Sequence, residues 1–287
     1  AVVGATGAVG REMVSILEER DFPFADLKLL ATERSAGTIM KCKGEEYEVE
    51  VTTPDSFEGI DIALFSAGST ASKNLAPEAV KRGAVVVDNS SAYRMDAEVP
   101  LVVPEVNPDD IFKHNGIIAN PNCSTIQMVA ALQPIYKEAG IKRLVISTYQ
   151  AVSGTGKDAM DELEEQTKSI ANDEEVEAEV YPHQISQNVL PHIDVFFEDG
   201  YTKEEKKMVN ETKKIMGDDK IKVTATAARV PVSIGHAEAV NIEMEKDLSA
   251  EKARQLLAQA PGVKVVDNPA ENEYPMQIDA ETTDDVL

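Results

Sequence analysis

The chain opens with AVVGATGAVGREMVSILEER, in which glycines at positions 4, 7 and 10 separate a short apolar run from an amphipathic stretch. Glycines so placed let the backbone turn tightly, approach a pyrophosphate and present helix N-terminal N–H groups to it. The spacing is G-x-x-G-x-x-G rather than the stricter G-x-G-x-x-G, so a ligand-free strand-to-helix turn competes with the dinucleotide site. The next hundred residues support the site. Strand-like runs at Leu27 to Ala31, Ile60 to Ser66, Val85 to Asp88 and Ile117 to Asn120 alternate with helical patterns at Arg11 to Arg20 and Ala71 to Arg82. That alternation predicts an α/β, Rossmann-type doubly wound N-terminal domain over residues 1–122, with ligands at the strand C-termini. Only three residues precede Gly4, too few for a full strand, so a few N-terminal residues are expected to be missing.

The second strand bears on the cofactor. An NAD site usually ends it with an acid near the ribose 2′-OH, whereas LLATERSAG places Thr32, Arg34 and Ser35 there. A guanidinium and two hydroxyls suit a 2′-phosphate, which favours NADP. Glu33 argues for NAD, which stays open as the alternative.

Residues 123–287 read differently. RLVISTYQAVSG, IKVTATAARVPV and HAEAVNIEME are long extended segments, and helices are predicted from about Lys157 to Ser169, Lys203 to Met216 and Ser249 to Gln259, with Ser249 as an N-cap. This pattern predicts an α+β catalytic and dimerisation domain with a large sheet. The stretch NDEEVEAEVYPHQISQNVLPHIDVFFEDG has no clean period and is expected to form an irregular lobe, placed at a subunit interface.

Composition narrows the function classes. A formal charge of −23 repels phosphate backbones, so nucleic acid is not an expected partner, and anionic ligands must be held by local cations. Neither an apolar run of about 18 residues nor a charged-then-apolar leader occurs, so no membrane partner is expected and the visible chain is predicted to be cytoplasmic. Two cysteines without repeated spacing give neither a disulfide framework nor a four-ligand zinc site, and no metal is expected.

In IIANPNCSTIQM an apolar run is halted by Asn-Pro-Asn and followed at once by Cys123, where a strand ends and a helix begins. A helix N-terminus stabilises a thiolate by at most about 2 kcal/mol, leaving much of the thiol protonated at neutral pH, so a nearby base is expected. Cys42, between lysines in a predicted hairpin, reads as a small buried hydrophobe. Of the four histidines, His114, His183 and His192 fit surface or packing positions. His236 begins a strand seven residues after Arg229, so a turn can bring the two into one pocket; spacing alone leaves its role even between catalysis and packing.

The segments GATGAVGREM, NPNCST, TYQAVSGTG and ARVPVSIGHAEAV, in this order, resemble the aspartate-semialdehyde dehydrogenase family over essentially the whole chain. The resemblance implies reduction of β-aspartyl phosphate by NADPH to L-aspartate 4-semialdehyde and phosphate, toward lysine (through diaminopimelate), methionine and threonine, by a homodimer or dimer of dimers. It implies Cys123 as the thioester-forming nucleophile, His236 as general acid/base and Gln150 as the residue orienting the intermediate. It further implies Arg229 for the substrate α-carboxylate, Glu211 for the α-ammonium, and Arg94, Lys214 and Asn122 for phosphate. Around the cofactor it implies Gly4, Thr6, Gly7, Ala8, Val9, Thr32, Arg34, Ser35, Ser66, Ser153 and Gly154. Taken singly, Arg94, Lys214 and Glu211 fit solvated surface charges equally well, and Gln150 fits a backbone-paired amide.

The chain stops at DAETTDDVL, where the resembled family continues through a strand and a helix that returns to the first domain, so a missing C-terminal segment is expected. Competing classes are an N-acetyl-glutamyl-phosphate reductase-like enzyme, disfavoured by Asn-Cys in place of Gly-Cys, and a glyceraldehyde-phosphate dehydrogenase, disfavoured by the absence of Cys-Thr-Thr-Asn. Outside enzymes stands a nucleotide-sensing relative with an inert cysteine.

Overall fold

In the first 120 residues the strand-forming runs VV, LLA, IALF, VVVD and IIA are apolar at nearly every position, which a parallel sheet covered by helices on both sides requires. The computed structural model describes residues 1–281 and 283–287. The chain divides into two units, one comprising Ala1–Val102 and Pro108–Pro121, the other Val103–Asn107 and Asn122–Leu287. In the first, β1 (Val2–Val3), α1 (Ala8–Glu19), β2 (Leu29–Ala31), the hairpin β3 (Ile39–Cys42) and β4 (Glu45–Glu48), β5 (Glu50–Val51), β6 (Ile62–Phe65), α2 (Ser69–Lys81), β7 (Val85–Asp88) and β8 (Ile117–Ala119) come in order. Six strands form one parallel sheet in the order β5-β2-β1-β6-β7-β8.

The pairing register explains the two-sided core. Val2 lies opposite Leu29 and Leu64 and packs with Val14 of α1, whereas Val3 lies opposite Leu30 and Phe65 and packs with Ala76 and Ala79 of α2. The helix α1 starts at Ala8, three residues earlier than the amphipathic pattern indicates, because the glycine turn is complete by Gly7. Cys42 is fully buried in the hairpin, its Sγ 3.8 Å from the Val14 carbonyl oxygen.

The second unit comprises α3 (Cys123–Ala139), β9 (Ile141–Gln150), α4 (Lys157–Ala171), α5 (Lys203–Met216), β10 (Lys222–Arg229), β11 (Ala237–Met244) and α6 (Ala250–Leu257). Among the described residues its sheet has three long strands, β10-β9-β11, with β10 parallel and β11 antiparallel to β9. The helix α5 begins in a capping box: Thr202 Oγ1 accepts the Glu205 N–H and Glu205 Oε2 accepts the Thr202 N–H. Its end is set by Gly217 in the left-handed conformation.

The irregular lobe lacks its own ladder and is held instead by side chains of α4. The Glu162 carboxylate accepts the N–H groups of Glu179, Val180 and Tyr181, and Gln166 Oε1 accepts those of Ile185 and Ser186. Backbone donors that would otherwise be buried unpaired thus find acceptors outside any repeating pattern.

Candidate active site

The first unit offers a phosphate cradle. Strand order reverses at β1, with β2 on one side and β6 on the other, so the turn after β1 opens at a switch point of the sheet. Gly4 has φ +82°, and a Cβ there would lie 2.6 Å from the Ser66 carbonyl oxygen. A Cβ at Gly10 would lie 2.1 Å from the Gly4 oxygen, so this glycine is what lets α1 pack against the turn. Gly7 caps α1 without a side-chain hydrogen bond, and Gly7, Ala8 and Val9 are exposed, leaving the first-turn N–H groups for an anion. Thr6 accepts the Arg11 Nε–H at its carbonyl. Thr32, Glu33, Arg34 and Ser35 form a turn directly beyond β2, with Thr32 and Arg34 exposed, and Ser66 comes directly after β6. This glycine cradle and the exposed Arg34 fit a dinucleotide.

Arg94, largely buried, donates from Nη2 to the Asn89 carbonyl. Its loop is shaped by buried Asp88, which accepts from Ser72 Oγ, Ser90 Oγ and the Ser90 N–H.

In the second unit, strand register assembles the chemistry. Gln150 ends β9 opposite Arg229, which ends β10, and extending the β9–β11 pairing by one residue sets His236 across from Gln150. Ala151, the residue after Gln150, holds both neighbours: its N–H donates to His236 Nδ1 at 3.0 Å and its carbonyl accepts from Arg229 Nη1 at 2.6 Å. Because Nδ1 is the acceptor, the neutral ring carries its proton on Nε2. Burial, and secondarily the Arg229 charge, pulls His236 down to about 4. Gly154, in the turn Val152–Gly154 that also contains Ser153, comes so close that a Cβ would lie 2.9 Å from Arg229 Nη1 and 3.3 Å from His236 Nε2. Arg229 is 4% exposed, and its buried Nε has no hydrogen-bond partner among the described residues, which leaves a donor for a ligand.

Cys123 is exposed at the first position of α3, on whose N-terminus the thiolate is favoured. Asn122 caps that helix through Oδ1 to the Thr125 N–H, 3.2 Å, and is itself gripped twice by α5. Its backbone N–H donates to Glu211 Oε2 at 2.7 Å, and its Nδ2 donates to Glu204 Oε1 at 2.8 Å. Gln150 Nε2 reaches the same Glu204 oxygen at 3.1 Å, and Thr148 Oγ1 at 3.3 Å. Lys207 Nζ closes the cluster, 3.1 Å from Glu204 Oε2 and 3.0 Å from Asp194 Oδ2. Burial alone would push the Glu204 carboxyl up, but the Lys207 charge and the hydrogen bonds from Asn122, Gln150 and Lys207 outweigh it and hold it below its ordinary value.

On α5 the side chains that meet this cluster include Glu204 and Lys207, two turns before Glu211 and Lys214. Glu211 is fully buried with an oxygen committed to the Asn122 N–H, and Lys214 stands about 10 Å further along the helix than Lys207. The carboxylate that meets Gln150 and the Asn122 side chain is that of Glu204, and the ammonium paired with it is that of Lys207. The sequence repeats the pattern E-x-x-K at 204–207 and 211–214, seven residues apart and on one helix stripe, so spacing could not choose between them. Ala151 carried no signal at all, because it acts through its backbone.

A family model described as semialdehyde dehydrogenase, NAD binding domain, matches residues 1–114, and one described as semialdehyde dehydrogenase, dimerisation domain, matches residues 132–287. The aspartate-semialdehyde dehydrogenase of Aquifex aeolicus is 60% identical over all of this chain and 86% of its own length. A crystal structure of aspartate semialdehyde dehydrogenase II from Vibrio cholerae, complexed with ASA, superposes with a TM-score of 0.94 at 46% identity, covering 96% of this chain and 82% of that one. A Candida albicans aspartate semialdehyde dehydrogenase with NADP superposes with a TM-score of 0.69 at 28% identity, covering 90% and 75%. With both of its units matched and relatives at this identity over its whole length, the chain belongs to the aspartate-semialdehyde dehydrogenase family of oxidoreductases.

Proposed function

We propose that this enzyme interconverts L-aspartate 4-semialdehyde plus phosphate with β-aspartyl phosphate, using NADP, through a thioester on Cys123, as a dimer serving lysine, methionine and threonine biosynthesis. The observation that carries the proposal is the meeting of Gln150, Arg229 and His236 at one end of the sheet, with Asn122 positioning Cys123 at the head of α3.

In the reductive direction, the Cys123 thiolate attacks the acyl carbon of β-aspartyl phosphate and phosphate leaves with the C–O bonding pair, giving the thioester. The nicotinamide, when bound, supplies hydride to the acyl carbon. The resulting oxyanion on the Cys123 adduct needs a donor, and an Nε2–H imidazole is one. As the oxyanion collapses to a carbonyl, the C–S bond breaks with its pair on sulfur, the semialdehyde leaves and Cys123 recovers its thiolate. Arg229 grips the α-carboxylate; pairing with that anion also lessens the charge that depresses His236, moving the ring toward the range where it can exchange a proton. Glu204, held ionised, takes the α-ammonium in place of Glu211, and Lys207, in place of Lys214, is assigned to phosphate beside Asn122.

Among the alternatives, an N-acetyl-glutamyl-phosphate substrate has its α-nitrogen acylated and uncharged, so it brings no ammonium to the ionised Glu204, whose cation partner stays Lys207 alone. The test is reduction of NADP by aspartate semialdehyde in the presence and absence of phosphate. Phosphate-dependent turnover is expected. Turnover with N-acetylglutamate semialdehyde instead would overturn the substrate assignment.

A further inference from the structure

On the side of His236 away from Arg229, a cleft of about 670 Å³ runs along α3 and β11, with Cys123, His236, Gln127 and Glu238 in its wall. Gln127 lies four residues after Cys123, one helical turn below it on the same face of α3. Its Nε2 donates to Glu238 Oε1 at 2.8 Å and lies 3.5 Å from the His236 carbonyl oxygen. One amide therefore reaches from the nucleophile's helix to the strand that carries His236. The other carboxyl oxygen, Glu238 Oε2, is shut off from solvent and has no hydrogen-bond partner among the described residues.

We propose that Gln127 and Glu238 are positioning residues for this active site, a clamp that fixes the Cys123 turn of α3 against the His236 end of β11. The inference rests on Cys123 and His236 being the reacting pair. Glu238 acts in the clamp as an uncharged acid. Among the described residues no cation reaches its buried oxygen, and the cleft wall includes the apolar side chains of Ile126, Met128, Leu132 and Val240. The ionisable groups around it are Cys123 on α3, His236 on its own strand, Glu204 on α5, and Asp284 and Asp285 of the C-terminal segment, so no neighbour offers a permanent positive charge. Burial foremost, with Glu204 adding to it and the Gln127 hydrogen bond opposing, pushes Glu238 up to about 8. Ionisation above that pH puts a negative charge in the wall of the cleft that Cys123 also lines, where it disfavours the thiolate, and draws water into the clamp.

The test compares wild type with Glu238→Gln, which keeps both the acceptor and the neutral shape, and Glu238→Ala, which keeps neither. Two quantities are followed against pH: kcat, and the rate of Cys123 alkylation by iodoacetamide, which needs neither substrate nor cofactor. Glu238→Ala should lower kcat about tenfold at pH 7 while KM stays within about twofold. Glu238→Gln should stay near wild type at pH 7, lose the fall in kcat above pH 8, and show half-maximal alkylation at lower pH than wild type. If Glu238→Ala fails to fold, the Gln variant decides alone. Superimposable wild-type and Glu238→Gln profiles in both measurements, or a Gln variant as slow as Ala at pH 7, would overturn the clamp. Absence of turnover in wild type would count against the proposed function, while the alkylation profiles would still judge Glu238.

Discussion

Asn122 and Glu211 are joined by a 2.7 Å hydrogen bond from a backbone N–H to a fully buried carboxylate, one residue before Cys123. The side chain of Asn122 turns instead to Glu204. The two α5 glutamates thus divide the labour, Glu211 fixing the chain and Glu204 facing the polar cluster. Replacing Glu211 by Ala leaves the buried N–H unpaired and should cost about 1–3 kcal/mol in urea unfolding. Glu204→Gln should keep most of the stability and raise KM for aspartate semialdehyde. A Glu211→Gln variant with the larger KM defect would return the ammonium to Glu211.

His236 sets a pH dependence whose sign is fixed by its depressed value. Folded, it stays neutral down to about 4; unfolded, it binds a proton near its ordinary value of about 6.5. Between those pH values the unfolded chain holds more protons, so His236 makes stability fall as pH drops through that window. His236→Gln should flatten this part of the Tm-against-pH curve. Nitrogen NMR of the ligand-free protein should find Nε2 protonated and Nδ1 bare at pH 6; the opposite tautomer would rule out the Ala151 hydrogen bond.

Arg34 stands exposed beyond β2, where a 2′-phosphate would lie. Charge-assisted hydrogen bonds to a guanidinium are among the stronger polar contacts, so Arg34→Ala should weaken NADP binding by about 1.5–3 kcal/mol and leave NAD nearly unchanged. Calorimetric titration of both cofactors checks this. Equal losses, or a wild-type preference for NAD, would assign the turn to Glu33.

Arg229 combines a carbonyl-anchored Nη1 with an Nε that has no protein acceptor among the described residues, an arrangement suited to a carboxylate. A lysine there supplies a point charge and loses the planar geometry. Arg229→Lys should lower kcat/KM for aspartate semialdehyde by about 2 kcal/mol or more, with kcat falling and KM rising together. On a substrate lacking the α-amino and α-carboxylate groups, the variant and wild type should converge.

Features that depend on local chemistry were legible in the sequence. The glycine turn, the strand-to-helix junction at Cys123, the helix Lys203–Met216 and the Cys42 hairpin each arise from residues adjacent in the chain. The dinucleotide fold is legible for the same reason. Features that depend on register or on backbone atoms escaped. Glu204 and Glu211 differ only by two helical turns, and choosing between them needs the packing of α5 against Asn122. Ala151 positions both Arg229 and His236 without any side-chain polarity. Gln127 and Glu238 lie 111 residues apart and meet only because α3 crosses β11. The lobe after α4 has no period because Glu162 and Gln166 supply the acceptors a ladder would have supplied.

The chemical roles proposed for Gln150, Arg229 and His236 depend on covalent catalysis at Cys123, and the most direct measurement is peptide mass spectrometry of enzyme quenched in acid after mixing with β-aspartyl phosphate without nicotinamide. A β-aspartyl group on the peptide containing Cys123, released by hydroxylamine and absent from Cys123→Ala, is the predicted result. Acylation confined to Cys42, or a Cys123→Ala variant that still turns over, would contradict it.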